Sequence, residues 1–354
     1  MTREEATEHG IELSETKHSM KRRCPWHDYH RKGTYMLTLV VDGRLPLLGE
    51  LKGKADASPG SADAPRVEYT ALGHAIANDE LPKISHYYPQ VEVWKLCIMP
   101  DHLHMILRVR EDLPERKNLG WIVAGFKGGC SKAAMRLRCM DGHPRNANPA
   151  FADASPATIP FSSEKGAPIP LFEPGYNDKI LMHEGQLGNW KAYLDDNPRR
   201  LLLKRQNPQL FTVLSGMEVA GHSCQVVGNR FLLDIPDKVA VIVHRRYTDD
   251  ENARLREAWL ACGERGGVLV SAAISPKEKE VLREAMNRGY RIILLRENGF
   301  PKLYKPSGES FNACAQGLLL QISPWEYHME KVTITRAQCL ELNKIAEIIA
   351  DGYR

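Results

Sequence analysis

The sequence has 354 residues, 43% of them hydrophobic and 26% charged, with a net charge of +4. This composition excludes a disordered or fibrous protein, and the length predicts two domains, because single cores seldom grow beyond roughly 250–300 residues. The net charge is too small to indicate nucleic-acid binding by itself. Neither a membrane span nor a signal peptide is apparent in the pattern, so we expect a cytoplasmic protein with no membrane partner.

The first half of the sequence predicts strands and helices interrupted by two loop-like insertions. Residues 34–41 are rich in β-branched and aromatic side chains and end at a turn signal, which is typical of a strand. We expect a helix over residues 189–196 to end at Asn197, because Pro198 disfavours helical backbone at the residue before it. Other predicted elements are strands at 91–99 and 102–109, helices at 69–78 and 119–140, and insertions at 52–65 and 141–170.

A boundary near residue 212 divides the chain into predicted domains of residues 1–212 and 213–354. In the second, apolar runs alternate with helical segments, and this order predicts an α/β, Rossmann-like, doubly wound sheet. Ser275 and Glu278 form a capping box at one helix start. The strand-to-helix junction at 267–276 is a place where nucleotide phosphates often bind, but the glycine-rich phosphate loop is missing, so no dinucleotide cofactor is expected.

Two histidines on one predicted strand are the first candidate for chemistry. His102 and His104 are separated by one residue, so both imidazoles point to the same face while Leu103 and Met105 face the core. Imidazole is a common ligand of divalent metals, and two such ligands need a third group from elsewhere. The alternative is a pair of exposed strand histidines without a function.

A tyrosine on a later helix is the second candidate. Tyr193 and Asn197 are four residues apart and therefore share one helical face. A phenol has a pKa of about 10 and is a poor nucleophile, but a divalent cation beside a scissile phosphate would assist its attack. Asn197 would then supply an oxygen ligand from the same turn. The alternative is a half-buried tyrosine on a helix that an Asn-Pro pair ends.

Several motifs in order are more specific than either candidate alone. The sequence resembles the HUH single-tyrosine transposases over residues 21–204, in particular the REP-associated tyrosine transposases of bacteria. The C-terminal half faintly resembles the Rossmann-like core of DprA-type DNA-processing proteins, through residues 267–276 and 300–304. The segments that resemble the transposases' opening strand, metal strand, helix start, last strand and nucleophile helix are 29–46, 97–104, 119–127, 175–180 and 193–198.

The transposase resemblance implies a ferredoxin-like α+β nuclease domain in a bacterial cytoplasmic protein. It implies that His102 and His104 bind Mg²⁺ or Mn²⁺, that Tyr193 is the nucleophile, and that Asn197 occupies the position of a polar third ligand. The implied reaction cuts and rejoins single-stranded or hairpin DNA through a 5′-phosphotyrosine intermediate. A replication or conjugation initiator nuclease and a non-cutting DNA-binding regulator derived from a transposase are the alternatives, and a homodimer is left open.

Three basic clusters without intervening acidic residues predict contacts with DNA phosphates around this site. For each cluster, a solvated helix face is the alternative. Trp26, Tyr29 and Trp121 are aromatic residues in the same region, and we expect them to pack in the core rather than stack on bases. The residues predicted to bind DNA are Arg22, Arg23, Lys127, Lys132, Arg136, Arg199 and Arg200.

Overall fold

A computed structural model describes residues 26–140, 170–244, 246–330 and 332–352, together with residues 7, 8, 10 and 24. The chain divides into two compact units, Met1–Leu202 and Leu203–Arg354. In the part of the chain that the structure describes, no helix is both long enough and apolar enough to cross a membrane. Nearly all of the predicted insertion at 141–170 lies outside the described residues.

The first unit contains a four-stranded antiparallel sheet in the order β4-β5-β1-β6. A separate hairpin, β2–β3, carries the predicted insertion at 52–65 in its loop. The elements are β1 (Gly33–Val40), β2 (Gly49–Lys52), β3 (Arg66–Tyr69), α1 (Ala71–Ala75), a π-helical turn (Ile76–Glu80), α2 (Pro82–Tyr87), β4 (Val91–Met99), β5 (His102–Val109), α3 (Leu119–Met140), β6 (Asn177–Ile180) and α4 (Gln186–Gln206).

The two faces of the sheet pack against different helices because side chains alternate along each strand. Leu37 and Met105 belong to the larger core, which α3 covers through residues such as Phe126. On the opposite face, Ile106 packs in a smaller core with Trp190 of α4. The prediction that Leu103 and Met105 face a core is confirmed, since both are fully buried in the larger one.

Helix α4 does not end at Asn197, so that prediction is wrong. It continues through Pro198 to Gln206. Proline inside a helix removes one hydrogen bond and clashes with the carbonyl four residues earlier, at a local cost of about 3 kcal/mol. Trp190 and Leu194 are buried on one helical face, and Leu201 packs beside them. Burial of this apolar face on the sheet favours the continued helix.

The second unit contains a six-stranded sheet in the order β7-β8-β12-β11-β10-β9. Strands β9 to β12 are parallel, and β7 and β8 are antiparallel strands that extend the sheet beyond β12. The elements are β7 (Leu214–Val219), β8 (His222–Gly228), β9 (Lys238–Ala240), α5 (Asp249–Glu264), β10 (Val268–Ser271), α6 (Pro276–Asn287), β11 (Arg291–Leu295), α7 (Gly308–Ala315), β12 (Leu319–Ser323) and α8 (Arg336–Ala350).

The prediction of a doubly wound sheet is wrong in its strand order. The four parallel strands lie across the sheet in the order in which they occur in the chain, without the reversal that creates a switch point. Helices α5, α6 and α7 therefore pack on one face, through residues such as Trp259 and Phe311. Helix α8 covers the other face through residues such as Ile345. The apolar strand runs indicate burial on both faces but not the spatial order of the strands.

Candidate functional site

The two histidines lie near the start of β5, on the face of the sheet that α4 covers. Cross-strand pairing places Thr38 of β1 on one side of His104 and Cys97 of β4 on the other. The ring centroids of His102 and His104 are 4.9 Å apart, and the two planes are nearly perpendicular. His104 is 6% exposed. The predicted side-by-side arrangement of two imidazoles is therefore present.

One nitrogen of each imidazole is held by a neighbouring side chain. The Nδ1 atom of His104 is 2.8 Å from Thr38 Oγ1, and the Nδ1 atom of His102 is 2.6 Å from Asp101 Oδ1. Arg44 donates a hydrogen bond of 3.2 Å to the other oxygen of Asp101. These contacts fix the orientation of both rings. They also direct any ligand toward the remaining nitrogens, the Nε2 atoms.

Helix α4 brings the predicted nucleophile to the histidines. The ring centroid of Tyr193 lies 5.9 Å from that of His104, and 39% of the tyrosine is exposed. Asn197, one turn later, is 8% exposed, and its Nδ2 atom has no hydrogen-bond partner among the described residues. The amide lies near the Tyr193 hydroxyl and the Cys97 thiol and favours the charged form of each. Tyr193, Asn197, His104 and Cys97 thus form one cluster.

The electrostatic environment keeps the cluster largely uncharged. Burial lowers the pKa of His104 well below its ordinary value, and the proximity of His102, Lys179 and Arg44 lowers it further. Burial raises the pKa of Tyr193, although Arg200 acts in the opposite direction. A neutral imidazole retains the lone pair that a metal ion requires. The tyrosine, by contrast, needs a nearby positive charge before its phenolate becomes accessible.

Asp101 carries the negative charge that balances this region. Burial alone would raise its pKa, but the imidazole of His102 and the guanidinium of Arg44 hold it well below the ordinary range. The carboxylate is 5% exposed. A buried carboxylate between a guanidinium and an imidazole is a common way to fix the tautomer of a metal-binding histidine.

Comparisons with known proteins give weak structural similarities. Neither the known protein families nor the curated proteins include a match to this sequence. A REP-associated tyrosine transposase bound to a REP hairpin is 12% identical over 50% of this chain and 73% of its own, with a TM-score of 0.27. DNA processing protein A from Helicobacter pylori, described for single-stranded DNA binding, is 21% identical over 36% of this chain and 57% of its own, with a TM-score of 0.27. A candidate transposase from Deinococcus radiodurans R1 is 15% identical over 49% of this chain and 96% of its own, with a TM-score of 0.24.

The site offers part of a metal-binding set. Within the described residues, no group of three His, Cys, Asp or Glu side chains is arranged to hold a metal ion. The Nε2 atom of His104 is buried without a hydrogen-bond partner in that same part of the chain. A buried nitrogen without a partner is costly and is relieved by a bound cation. The two imidazoles therefore fit a divalent metal.

Three of the predicted DNA-binding residues lie away from the site. Lys127, Lys132 and Arg136 lie on α3, which packs on the opposite face of the sheet, so the expectation that this cluster borders the site is wrong. Lys127 donates hydrogen bonds to two backbone carbonyls, at 2.6 and 2.9 Å, and Arg136 forms an ion pair with buried Glu80. Lys132 is exposed.

The remaining basic residues of the prediction divide into two groups. Arg199 and Arg200 lie on α4, and the Cζ atom of Arg200 is 5.6 Å from the ring centroid of Tyr193. Arg199 instead binds Asp196 at 2.6 Å. Arg22 and Arg23 lie outside the described residues.

Three aromatic residues were expected to pack in the core, and two do not. Trp26 is 69% exposed and Trp121 is 55% exposed. Only Tyr29 packs against the larger core, where its hydroxyl donates to Asp178 at 2.7 Å. The two exposed indoles remain available to solvent or to a ligand.

Four residues of the site were not identified from the sequence: Thr38, Arg44, Cys97 and Asp101. Asp101 directly precedes His102, and this adjacency is a signal that a histidine-orienting carboxylate was present. Thr38 and Cys97 are neighbours of His104 only through strand pairing, which requires the register of the sheet. Arg44 reaches Asp101 from a turn with positive φ, at 58°, which the sequence does not reveal for an arginine.

The junction at 267–276 in the second unit is occupied by the protein's own carboxylate. Glu278 is 2% exposed and accepts hydrogen bonds from the backbone N–H groups of Val243, Ile274 and Ser275, at 2.8, 2.6 and 3.0 Å. The predicted capping box with Ser275 is confirmed. Two of these donors, from Ile274 and Ser275, lie at the start of α6, so the carboxylate occupies this part of the junction.

Proposed function

We propose that this protein is a metal-dependent enzyme that cuts and rejoins single-stranded DNA through a covalent tyrosine link, as a transposase does. The observation that carries the proposal is the convergence of three rings from two elements: Tyr193 lies 5.9 Å from His104, which lies 4.9 Å from His102. A partly exposed phenol beside two oriented imidazoles matches the needs of phosphodiester chemistry better than those of a structural core.

In this proposal the Nε2 atoms of His102 and His104 would hold a magnesium or manganese ion, and the amide oxygen of Asn197 would be the third protein ligand. The orphaned Nε2 atom of His104 and the held Nδ1 atoms of both rings support the first part. The burial of Asn197 beside Tyr193 supports the second. Such an ion would offset the charge that develops on a phosphate during attack.

The protein's own residues carry the covalent step. The Tyr193 hydroxyl oxygen attacks the phosphorus of a phosphodiester and loses its proton to solvent. The bond from phosphorus to the 3′ oxygen breaks, that oxygen takes up a proton, and a 5′-phosphotyrosine link forms. Because the ester energy is retained in this link, a 3′-hydroxyl can later attack it and restore the DNA without a nucleoside triphosphate.

The proposal also includes a fold class for each of the two units. The antiparallel sheet with α3 on one face and α4 on the other supports a ferredoxin-like nuclease domain. The four parallel strands with helices on both faces support a Rossmann-like accessory domain. Its role in this proposal is to bind DNA or to mediate assembly.

The proposal is tested with the purified full chain and a labelled single-stranded hairpin DNA in the presence of magnesium or manganese. We expect nicking by the wild-type protein, none by Tyr193→Phe, and nearly equal DNA binding by both. Tyr87→Phe removes a hydroxyl from an exposed tyrosine of the same unit and is the matched control, which should cut normally. Nicking by Tyr193→Phe would exclude this tyrosine as the nucleophile.

The metal is tested by the histidine variants. His102→Ala and His104→Ala should lose metal-dependent nicking, and a chelator should abolish it in the wild-type protein. Activity that survives the chelator would exclude the metal from the reaction. Transfer of one cut end to another would distinguish a transposase from a replication or conjugation initiator. Tight DNA binding without any nicking would favour the regulator.

A further inference from the structure

Arg200 lies against the proposed nucleophile. Its Cζ atom is 5.6 Å from the ring centroid of Tyr193, although the two residues are seven positions apart on α4. Helical side chains lean toward the N-terminus of their helix, so a long side chain two turns later reaches back over the ring. The contact exists because α4 continues through Pro198. A helix that ended at Asn197 would not present Arg200 in this way.

The carboxylates near the Tyr193 ring each lie beside positively charged side chains, and Asp196 also acts on Arg200. Asp195 lies 2.5 Å from Lys95, and Asp196 binds Arg199 at 2.6 and 3.1 Å. Asp101 is held between His102 and Arg44. Lys179, on β6, adds a further positive charge close enough to act on His104. The surroundings of the Tyr193 ring are therefore positively charged, which suits an anionic substrate.

We propose that Arg200 is a catalytic residue of the strand-cutting reaction and binds the non-bridging oxygens of the scissile phosphate while its guanidinium lies against Tyr193. This inference rests on the proposed function. A guanidinium presents paired N–H donors that match two phosphate oxygens, and lysine cannot reproduce that geometry. A cation over an aromatic face also stabilises negative charge on the ring.

The covalent step explains why Arg200 would stabilise the transition state more than the bound substrate. As the bond from the Tyr193 oxygen to phosphorus forms and the bond to the 3′ oxygen breaks, negative charge increases on the phosphoryl oxygens. The phenol proton leaves to solvent and the departing 3′ oxygen takes one from solvent, so no further reactant is needed. A guanidinium that already lies beside the nucleophile before the reaction lowers the barrier without reorganisation.

The test measures single-turnover formation of the covalent adduct by the full chain with hairpin DNA and manganese. Arg200→Ala should slow adduct formation by about 10²–10³-fold, as removal of one transition-state donor does, while DNA affinity and thermal unfolding change little. Arg200→Lys should recover only part of the rate. Free guanidinium ion should partly restore Arg200→Ala, whereas sodium chloride at equal ionic strength should not.

Lys191→Ala is the matched control. It removes one positive charge from the same helix, two residues from Tyr193, but its ammonium lies over the ring of Trp94 rather than over the nucleophile. We expect adduct formation at nearly the wild-type rate. Arg200→Ala acting at the wild-type rate, or a loss that free guanidinium does not restore, would overturn the role of Arg200. If the wild-type chain forms no adduct, the proposed function fails instead, and the two failures are thereby distinguished.

Discussion

Removal of the carboxylate charge of Asp101 should weaken both the fold of the first unit and the metal binding that we propose for it. Asp101→Asn preserves the size of the side chain but leaves the guanidinium of Arg44 without its anionic partner. The side chain of Arg44 is only 15% exposed, and its Nε atom is already buried without a partner among the described residues. Breaking one half of a buried ion pair costs about 3–5 kcal/mol, because the remaining charge stays desolvated.

A loss of that size should be visible in thermal unfolding. For a unit of about 200 residues, each kcal/mol corresponds to roughly 2–4 °C, so the midpoint should fall by roughly 6–20 °C. The pH dependence should also change. The pKa of Asp101 is lowered in the folded state, so its contribution to stability is present above the unfolded value near 3.9 and is lost as the pH falls through the folded value. Asp101→Asn should lack this component.

A double-mutant cycle with Arg44→Met separates the interaction energy of the Asp101–Arg44 ion pair from the other effects of each substitution. The double variant should be less destabilised than the sum of the single variants, with a coupling of about 0.5–3 kcal/mol. Metal affinity, measured by titration of the metal-free protein, should fall about 10–100-fold in Asp101→Asn, because His102 loses the group that orients it. Unchanged unfolding and unchanged metal affinity in Asp101→Asn would refute the role assigned to this network.

Three further changes test other parts of the structure. Because burial holds His104 neutral, the metal-free protein should lose stability as the pH falls below about 6.5, by up to about 1.4 kcal/mol per pH unit. In urea titrations, His104→Gln should flatten this dependence of stability on pH. An unaltered dependence would contradict the assignment of His104 as a buried neutral imidazole. Glu278→Gln should destabilise the second unit by about 1.5–3 kcal/mol, measured by thermal unfolding, since three N–H donors lose a charged acceptor; wild-type stability would argue against this role. Pro198→Ala should raise the stability of α4 by up to about 3 kcal/mol while the circular dichroism spectrum stays the same; a gain of helix signal would contradict a helix that is already continuous through Pro198.

The sequence contained enough information to locate the central residues. Alternation along a strand placed His102 and His104 on one face, and helical spacing placed Tyr193 and Asn197 together. Both patterns are local and depend only on the geometry of one element. Whether these two elements meet depends on how α4 packs on the sheet. From the sequence, this could be predicted only through the resemblance to a transposase family.

The predictions that were wrong concern features that tertiary packing determines. Pro198 predicts a helix end from local stereochemistry, but α4 continues beyond it and packs Leu201 against the same core as Trp190 and Leu194. The basic residues of α3 form a cluster in sequence, yet the helix packs on the face of the sheet away from Tyr193. The strand order of the second unit likewise could not be predicted from the sequence, because each apolar run could pair with any other strand of the sheet.

The most direct measurement is the mass of the peptide that carries Tyr193 after the full chain reacts with single-stranded hairpin DNA and manganese. Convergence of the phenol with the two imidazoles predicts a peptide that gains a 5′-linked nucleotide on the Tyr193 oxygen, and only when the metal is present. A nucleotide attached to another residue, or nicked DNA with no protein-linked product, would contradict the account.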